Sequence, residues 1–592
     1  VYFTLNTQRG DILARNRIRV KAHNFSNAPQ VYQKRSRFDR SFVRKMTFDE
    51  GSLVPFFVDE VLPGDTISLT VRDFCRLSTP VAPFMDNLYL DKFFFFVPNR
   101  LVWEHWQNFC FEQEDPDDPT DYVVPTCQLA GGKAGETGIG TVWDYYALPT
   151  GLANALNVNA LPFRMYYLIW NEWFRDENLQ KSVKIDKSDT NAVFKADRIS
   201  DQPSWIFSEG TTYVNGFALA PRGKRFDYFT SALPFQQKGP GVSIGLAGTA
   251  SIVNRGLDSG FFLTSTSDQL AAVTAYGGDA SSSGGKRATF GSGSITFNRG
   301  SDSKWSNVGG FAGNSSDEVT VNALPHTSVL GGSSYVDLDS STIFTISSLR
   351  TAFQMQKFYE RLARGGSRYT EVLTSFFGVV SPDSRLQRPE YLGGSSKMIN
   401  INPVAQTSST GDVTPQGNLA AYGVSASKYH AFTKSIVEHG YIIGLLEVRA
   451  DLTYQQGINK MWLRSTVYDW YWPTFAHLSE QAILNAEIYA QGTDEDKGVF
   501  GYQERYAEYR YHPSEICGHF RSTYTKPLDV WHLSQKFDSL PTLSDQFIRD
   551  NPPVDRVVAT KNYPHFLIDI GFKYHTTRAM PMYGIPGLVD HF

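Results

Sequence analysis

Gly241-Val242-Ser243-Ile244-Gly245 has the G-x-S-x-G spacing of a nucleophile elbow. That turn presents its serine only between a strand and a helix. Here it lies in Gly-rich sequence with no helical pattern behind it, so the spacing reads as coincidence. Glu112, Glu114, Asp115, Asp117, Asp118 and Asp121 could together hold calcium. Pro116 and Pro119 break the ligand spacing and no glycine sits mid-loop, which leaves a solvated acidic loop. The histidines form no H-E-x-x-H, and Gly132-Lys133 runs into Ala134 rather than the Ser or Thr of a phosphate loop. Cys75, Cys110, Cys127 and Cys517 form no C-x-x-C pair, which fits a reducing compartment without disulfides or a zinc site. No catalytic residue, metal ligand or cofactor motif follows from these patterns. Trp103, Trp106, Trp170, Trp173, Trp470 and Trp472 come in close pairs that could stack on bases or sugars, although large aromatics more often anchor cores and interfaces.

The strongest chemical signal is charge. The first 45 residues hold eleven Lys and Arg against two acids, a balance of +9 on a chain whose total is −4, so the remainder sums to −13. A basic arm on an acidic body directs a polyanion to one part of the protein. The candidate nucleic-acid contacts are Arg15, Arg17, Arg19, Lys21, Lys34, Arg35, Arg37, Arg40, Arg44 and Lys45.

These residues need a scaffold, and the composition favours strands. Phe, Tyr, Val and Thr are frequent between 48 Gly and 29 Pro, which supply many turns. Ile67, Leu69 and Val71 alternate with polar residues after a Pro63-Gly64-Asp65 turn. The same period recurs at Leu446, Val448, Ala450 and Leu452, and at Ile568, Ile570, Phe572 and Tyr574. Phe93-Phe94-Phe95-Phe96-Val97 is continuously apolar, which predicts burial on both faces or beneath an insertion. Strands at both ends of the chain imply one sheet system interrupted by insertions. Helices are expected over 100–113, 163–179, 346–364, 368–377 and 479–490, the last capped by Ser479. Residues 1–50 are expected to form an extended arm, and 51–238 with 342–592 a single domain. The 239–341 segment, more than a third Gly and Ser, is expected to be an inserted surface excursion of short hairpins. No apolar run approaches the roughly 18 to 20 residues of a membrane span. The start lacks the apolar stretch of a secretory signal. Val1 is not an initiator Met, so residues are expected to precede it.

Several long strings resemble the major capsid protein of the Microviridae, in particular its gokushovirus branch. They are Arg37-Phe38-Asp39-Arg40-Ser41, Thr47-Phe48-Asp49-Glu50-Gly51-Ser52-Leu53-Val54-Pro55, Asp59-Glu60-Val61-Leu62-Pro63-Gly64-Asp65-Thr66, Phe95-Phe96-Val97-Pro98-Asn99-Arg100-Leu101-Val102-Trp103, Arg361-Leu362-Ala363-Arg364-Gly365-Gly366-Ser367-Arg368-Tyr369 and Pro389-Glu390-Tyr391-Leu392-Gly393-Gly394. The resemblance covers most of the chain and lapses over 239–341. It implies a mainly β fold, an eight-stranded jelly-roll β-sandwich with long insertions, and no enzymatic activity. It implies a T=1 icosahedral shell of copies of this chain around circular single-stranded DNA, assembled in the cytoplasm of a bacterial host. A small basic protein would be an internal DNA partner and a host surface receptor an external one. The 239–341 segment would protrude at each threefold axis, with Phe261, Phe262 and Leu263 as the contact between copies. On the residues alone, a carbohydrate-binding or carbohydrate-active β-sandwich and a soluble single-strand-binding protein remain open.

Overall fold

The structure is a computed structural model. It describes residues 35–583 apart from 114, 120, 130–137, 153, 196–200, 207–216, 367–368, 378–386, 413–414 and 479, and between 242 and 345 it describes only the backbone of short strands.

Nine strands build the main sheet: β1 (Ser36–Asp39), β2 (Phe42–Phe48), β3 (Val54–Val61), β4 (Thr66–Leu77), β5 (Leu88–Pro98), β6 (Glu390–Ala405), β7 (Leu419–Ser435), β8 (Gly440–Ala450) and β9 (Phe566–Arg578). Their order is β1-β9-β4-β7-β6-β5-β8-β3, with β2 also pairing β9, and every pairing is antiparallel. The mainly β expectation is met by one curled sheet, in keeping with a capsid β-sandwich. Its two edges close on each other. Phe57 of β3 lies 5.2 Å from Phe572 and 5.5 Å from Tyr574 of β9, ring centre to ring centre. Every strand expected from its alternation is present.

The strands form because their period of two separates an apolar face from a polar one. On β4, Ile67, Leu69, Val71, Cys75 and Leu77 are buried and enter the same core as Phe56, Phe94, Leu446, Ile570 and Phe572. Each fully buried Phe contributes roughly 1.5–3 kcal/mol. The five-residue run on β5 behaves as expected of a doubly buried strand. Phe94 and Phe96 face that core, whereas Phe95 and Val97 face a second one. The second core is built by Trp103, Trp143, Trp170 and α1 (Leu161–Ile169), whose Leu161 amide donates to Asn159 Oδ1 at 2.8 Å. At Gly393 a bulge breaks the β5–β6 register, and φ is +154°. A Cβ there would strike the Ala431 carbonyl, so the bend requires glycine.

The helices depart from expectation in three places. Residues 100–113 yield only a 3-10 turn, Asn99–Leu101, and one α-turn, Trp106–Phe109. The 479–490 segment is a strand, Gln481–Leu484, followed by a single turn, Asn485–Ile488; Ser479 lies outside the described residues. Pairing of that strand with Val499–Gln503 overrides local helix propensity. The 163–179 pattern is shorter than expected, with α1 running into a π-turn over Trp170–Phe174. Helices do form at Ile346–Gly365 and Tyr369–Phe377. Among the described residues no helix is long and apolar enough to cross a membrane.

The chain divides into two compact units, 1–238 with 360–592, and 239–359. In the second, Arg287–Gly291 pairs with Ser294–Asn298, and Phe261–Thr264 lies between Leu270–Val273 and Thr320–Asn322.

Candidate nucleic-acid interface

Arg15, Arg17, Arg19, Lys21 and Lys34 lie outside the described residues. The other five candidate contacts sit on or beside β1 and β2, so residues 36–48 are sheet rather than free arm. Phe38, Met46 and Phe48 alternate with the exposed Arg37, Asp39, Lys45, Thr47 and Asp49, and this period is what lets the segment pair with β9.

Alternation divides the five cations. Arg40 donates two hydrogen bonds to Asp59, at 2.6 and 2.7 Å, and its guanidinium lies 5.2 Å from the Tyr574 ring centre. Burial opposes its charge, yet the Asp59 bonds prevail and hold its pKa above the ordinary value. Tyr574 donates to the same carboxylate at 2.6 Å. Asp59 on β3 therefore ties together the two edges of the curled sheet. Arg35 donates to Thr66 Oγ1 at 2.8 Å and to the Gly64 carbonyl. Arg44 is half-buried and donates to the Tyr145 carbonyl at 3.1 Å, and burial lowers its pKa. Arg37 and Lys45 are exposed and make no hydrogen bond or ion pair among the described residues.

Three ionic features were not visible as sequence motifs. Asp65 is buried and accepts from Arg578 Nε at 3.0 Å and from the Leu62 amide at 3.0 Å. Lys92 and Asp73 form a pair deep in the first core, with Ser427 donating to the same Asp73 oxygen at 2.6 Å. His565 is held by three carboxylates. Its Nδ1 lies 2.8 Å from Glu50, its Nε2 3.1 Å from Asp555, and its backbone amide donates to Asp49 at 2.9 Å. Asp49, Glu50 and His565 have the donor types of a metal site. The hydrogen bond to Glu50 raises the imidazole pKa to about 9, so in this arrangement both ring nitrogens carry protons at neutral pH and face carboxylates.

The aromatic pairs split as well. Trp103 and Trp170 are buried and donate to Asp189 at 2.7 Å and to the Pro221 carbonyl at 2.9 Å. Trp470 and Trp472 are each 48% exposed. The acidic loop bonds to itself, the Asp115 amide donating to Asp118 at 2.9 Å. Phe261, Phe262 and Leu263 lie in the middle strand of the three-stranded sheet of the second unit. Ser243 lies outside the described residues.

Residues 26–588 match the family described as Capsid protein (F protein). The chain belongs to that phage capsid family. It is 45% identical to Capsid protein VP1 of Chlamydia phage 1 over 594 residues, covering 96% of this chain and 98% of the relative. It is 42% identical to Capsid protein VP1 of Bdellovibrio phage phiMH2K, covering 97% and 99%. It is 32% identical to Capsid protein VP1 of Spiroplasma virus 4, covering 97% and 99%. These relatives place the capsid protein in the gokushovirus-like group. A member of this family is a structural component of the virion and not an enzyme, and its first partner is other copies of itself.

Proposed function

We propose that this capsid protein closes into a T=1 icosahedral shell around a circular single-stranded DNA genome, in the cytoplasm of a bacterial host. Near-full-length membership of the capsid family carries the reading. The +9 balance of the first 45 residues supports a genome inside the shell. In this reading residues 51–238 and 342–592 form the shell, and the remaining cations of the 1–50 arm meet phosphates. A small basic protein shares the interior. Each neutralised phosphate on a single strand adds about 0.7 to the log–log salt slope.

The 239–341 segment is the outward part, three copies meeting at a threefold axis through Phe261, Phe262 and Leu263 and touching the host receptor. Its Gly- and Ser-rich composition and paired short strands support a projection built of hairpins.

Electron microscopy of particles from expressing cells tests the shell: uniform closed shells containing nuclease-resistant single-stranded DNA are expected, and open sheets or soluble monomers would refute it. Replacing 243–338 by a short Gly/Ser linker should leave shells that attach poorly to host cells. Normal attachment would remove the receptor role.

A further inference from the structure

We infer that the solvent face of β9, β4 and β7 is a binding platform for single-stranded DNA, distinct from the arm. The inference rests on the proposed genome and places contacts within the shell domain.

Alternation directs Ser68, Thr70, Arg72, Phe74 and Arg76 of β4 outward. Register places Lys428 of β7 directly opposite Arg72, and Lys573 of β9 directly opposite Thr70. Arg72, Arg76, Lys428 and Lys573 are all exposed, and none forms an ion pair or hydrogen bond among the described residues. Asp569 is the one carboxylate on this face of the three strands, and it stands opposite Phe74. Like charges directly opposite across a pair of strands destabilise it. Among the described residues no carboxylate pairs with either Arg72 or Lys428, which leaves the pair for an external anion to relieve.

The aromatic groups select among anions. Phe74 is 39% exposed between Arg72 and Arg76, with the Arg76 guanidinium 5.0 Å from its ring centre. Tyr422, 49% exposed, continues the same face along β7. Strand geometry spaces Arg72 and Arg76 by about 14 Å, with a ring between them. Cations that track a backbone, interleaved with rings that accept bases, are the pattern of sequence-tolerant single-strand binding. An acidic surface of a second copy would meet the charge but leave these rings without a role. Lys45 and Arg37 extend the face at its edge, on strands paired with β9 opposite Asp569 and Thr577.

The test titrates fluorescent oligo(dT) with the unassembled full-length chain across a salt series. Replacing Arg72, Arg76, Lys428 and Lys573 together by Gln should lower the log–log salt slope by roughly 2 to 3, with no loss of melting temperature. Phe74→Ala should weaken binding and leave the slope alone. An unchanged slope in the fourfold variant, with a flattened slope on replacing Arg15, Arg17, Arg19 and Lys21 by Gln, would overturn the platform and leave the genome reading standing. No binding by the wild-type chain would overturn both. Normal DNA binding with failed shells would reassign the face to contact between copies. Should the fourfold variant fail to fold, single Arg72→Gln and Lys573→Gln changes should each lower the slope by about 0.7, and unchanged slopes in both would refute the platform.

Discussion

The two faces of β4 carry charge in opposite ways. Its inner face holds one ionic group, Asp73, and the fold supplies that group with Lys92 and Ser427. The outer face holds Arg72 and Arg76, and among the described residues neither pairs with a carboxylate. A charge inside the curled sheet must be matched within the chain, because desolvation is costly. Cations outside can remain unmatched, because water solvates them until a partner arrives. Alternation with a period of two thus lets a single strand separate what the chain needs in order to fold from what it presents to other molecules.

Breaking the inner pair should have the largest effect. Lys92→Ala leaves the fully enclosed Asp73 carboxyl with one hydroxyl partner. Removing one member of a buried pair costs about 3–5 kcal/mol, so the melting temperature and soluble yield should drop steeply. Burial already draws the Lys92 pKa below its ordinary value, with Asp73 acting against it. Replacing Lys92 by Met and Asp73 by Leu together should recover most of the loss. No recovery would show that the pair also specifies strand register.

Glycines on the two faces offer a second contrast. A Cβ on Gly444 of β8 would lie 2.8 Å from Phe57 Cβ and 2.9 Å from Phe94 Cε1. Gly444→Val should cost about 1–3 kcal/mol through overpacking. A Cβ on Gly571 of β9, on the outer face opposite Arg72, would meet only the Arg72 carbonyl at 3.9 Å. Gly571→Val should stay within about 0.5 kcal/mol of wild type. Equal costs in denaturation curves would contradict the assignment of faces.

His565, just before β9, adds a pH signature to the folded state. Its folded pKa, about 9, lies above the ordinary 6.5. Its contribution is therefore fully present below pH 6.5 and is lost as pH rises through 9. The urea midpoint should fall over that window, and His565→Gln should flatten the fall. An identical pH profile in the variant would remove the imidazolium from this role.

Legibility in the sequence followed the same division. Segments with a regular period and an unbroken apolar face were visible: Ile67–Val71 on β4, Leu446–Ala450 on β8, Ile568–Tyr574 on β9 and the doubly buried Phe93–Val97 on β5. Strands β1 and β2 were obscured because their cations registered as an arm, although Phe38, Met46 and Phe48 carry the alternation. Strands β6 and β7 were obscured by Gly, Ser and Ala and by bulges that break the period at Gly393 and Phe432. Ionic partners were the least legible. Glu50 and His565 are 515 residues apart, and Arg72 meets Lys428 only through register. Spacing along a chain does not encode such meetings; pairing of distant strands creates them.

The smallest expected effect lies on the outer face and reverses sign between stability and binding. Lys428→Glu turns the like-charged pair with Arg72 into a cross-strand ion pair. Opposite charges in that position contribute roughly 0.2–1 kcal/mol, so the isolated chain should melt slightly higher. Affinity for oligo(dT) should fall further than with Lys428→Gln, since the carboxylate removes one phosphate contact and neutralises Arg72 beside it. A face whose charge merely keeps the chain soluble would gain the same stability and leave oligo(dT) binding unchanged. The outer cations are therefore assigned by two measurements on one variant: a small gain in melting temperature joined to a loss of DNA affinity identifies a surface that holds its cations unpaired for a partner.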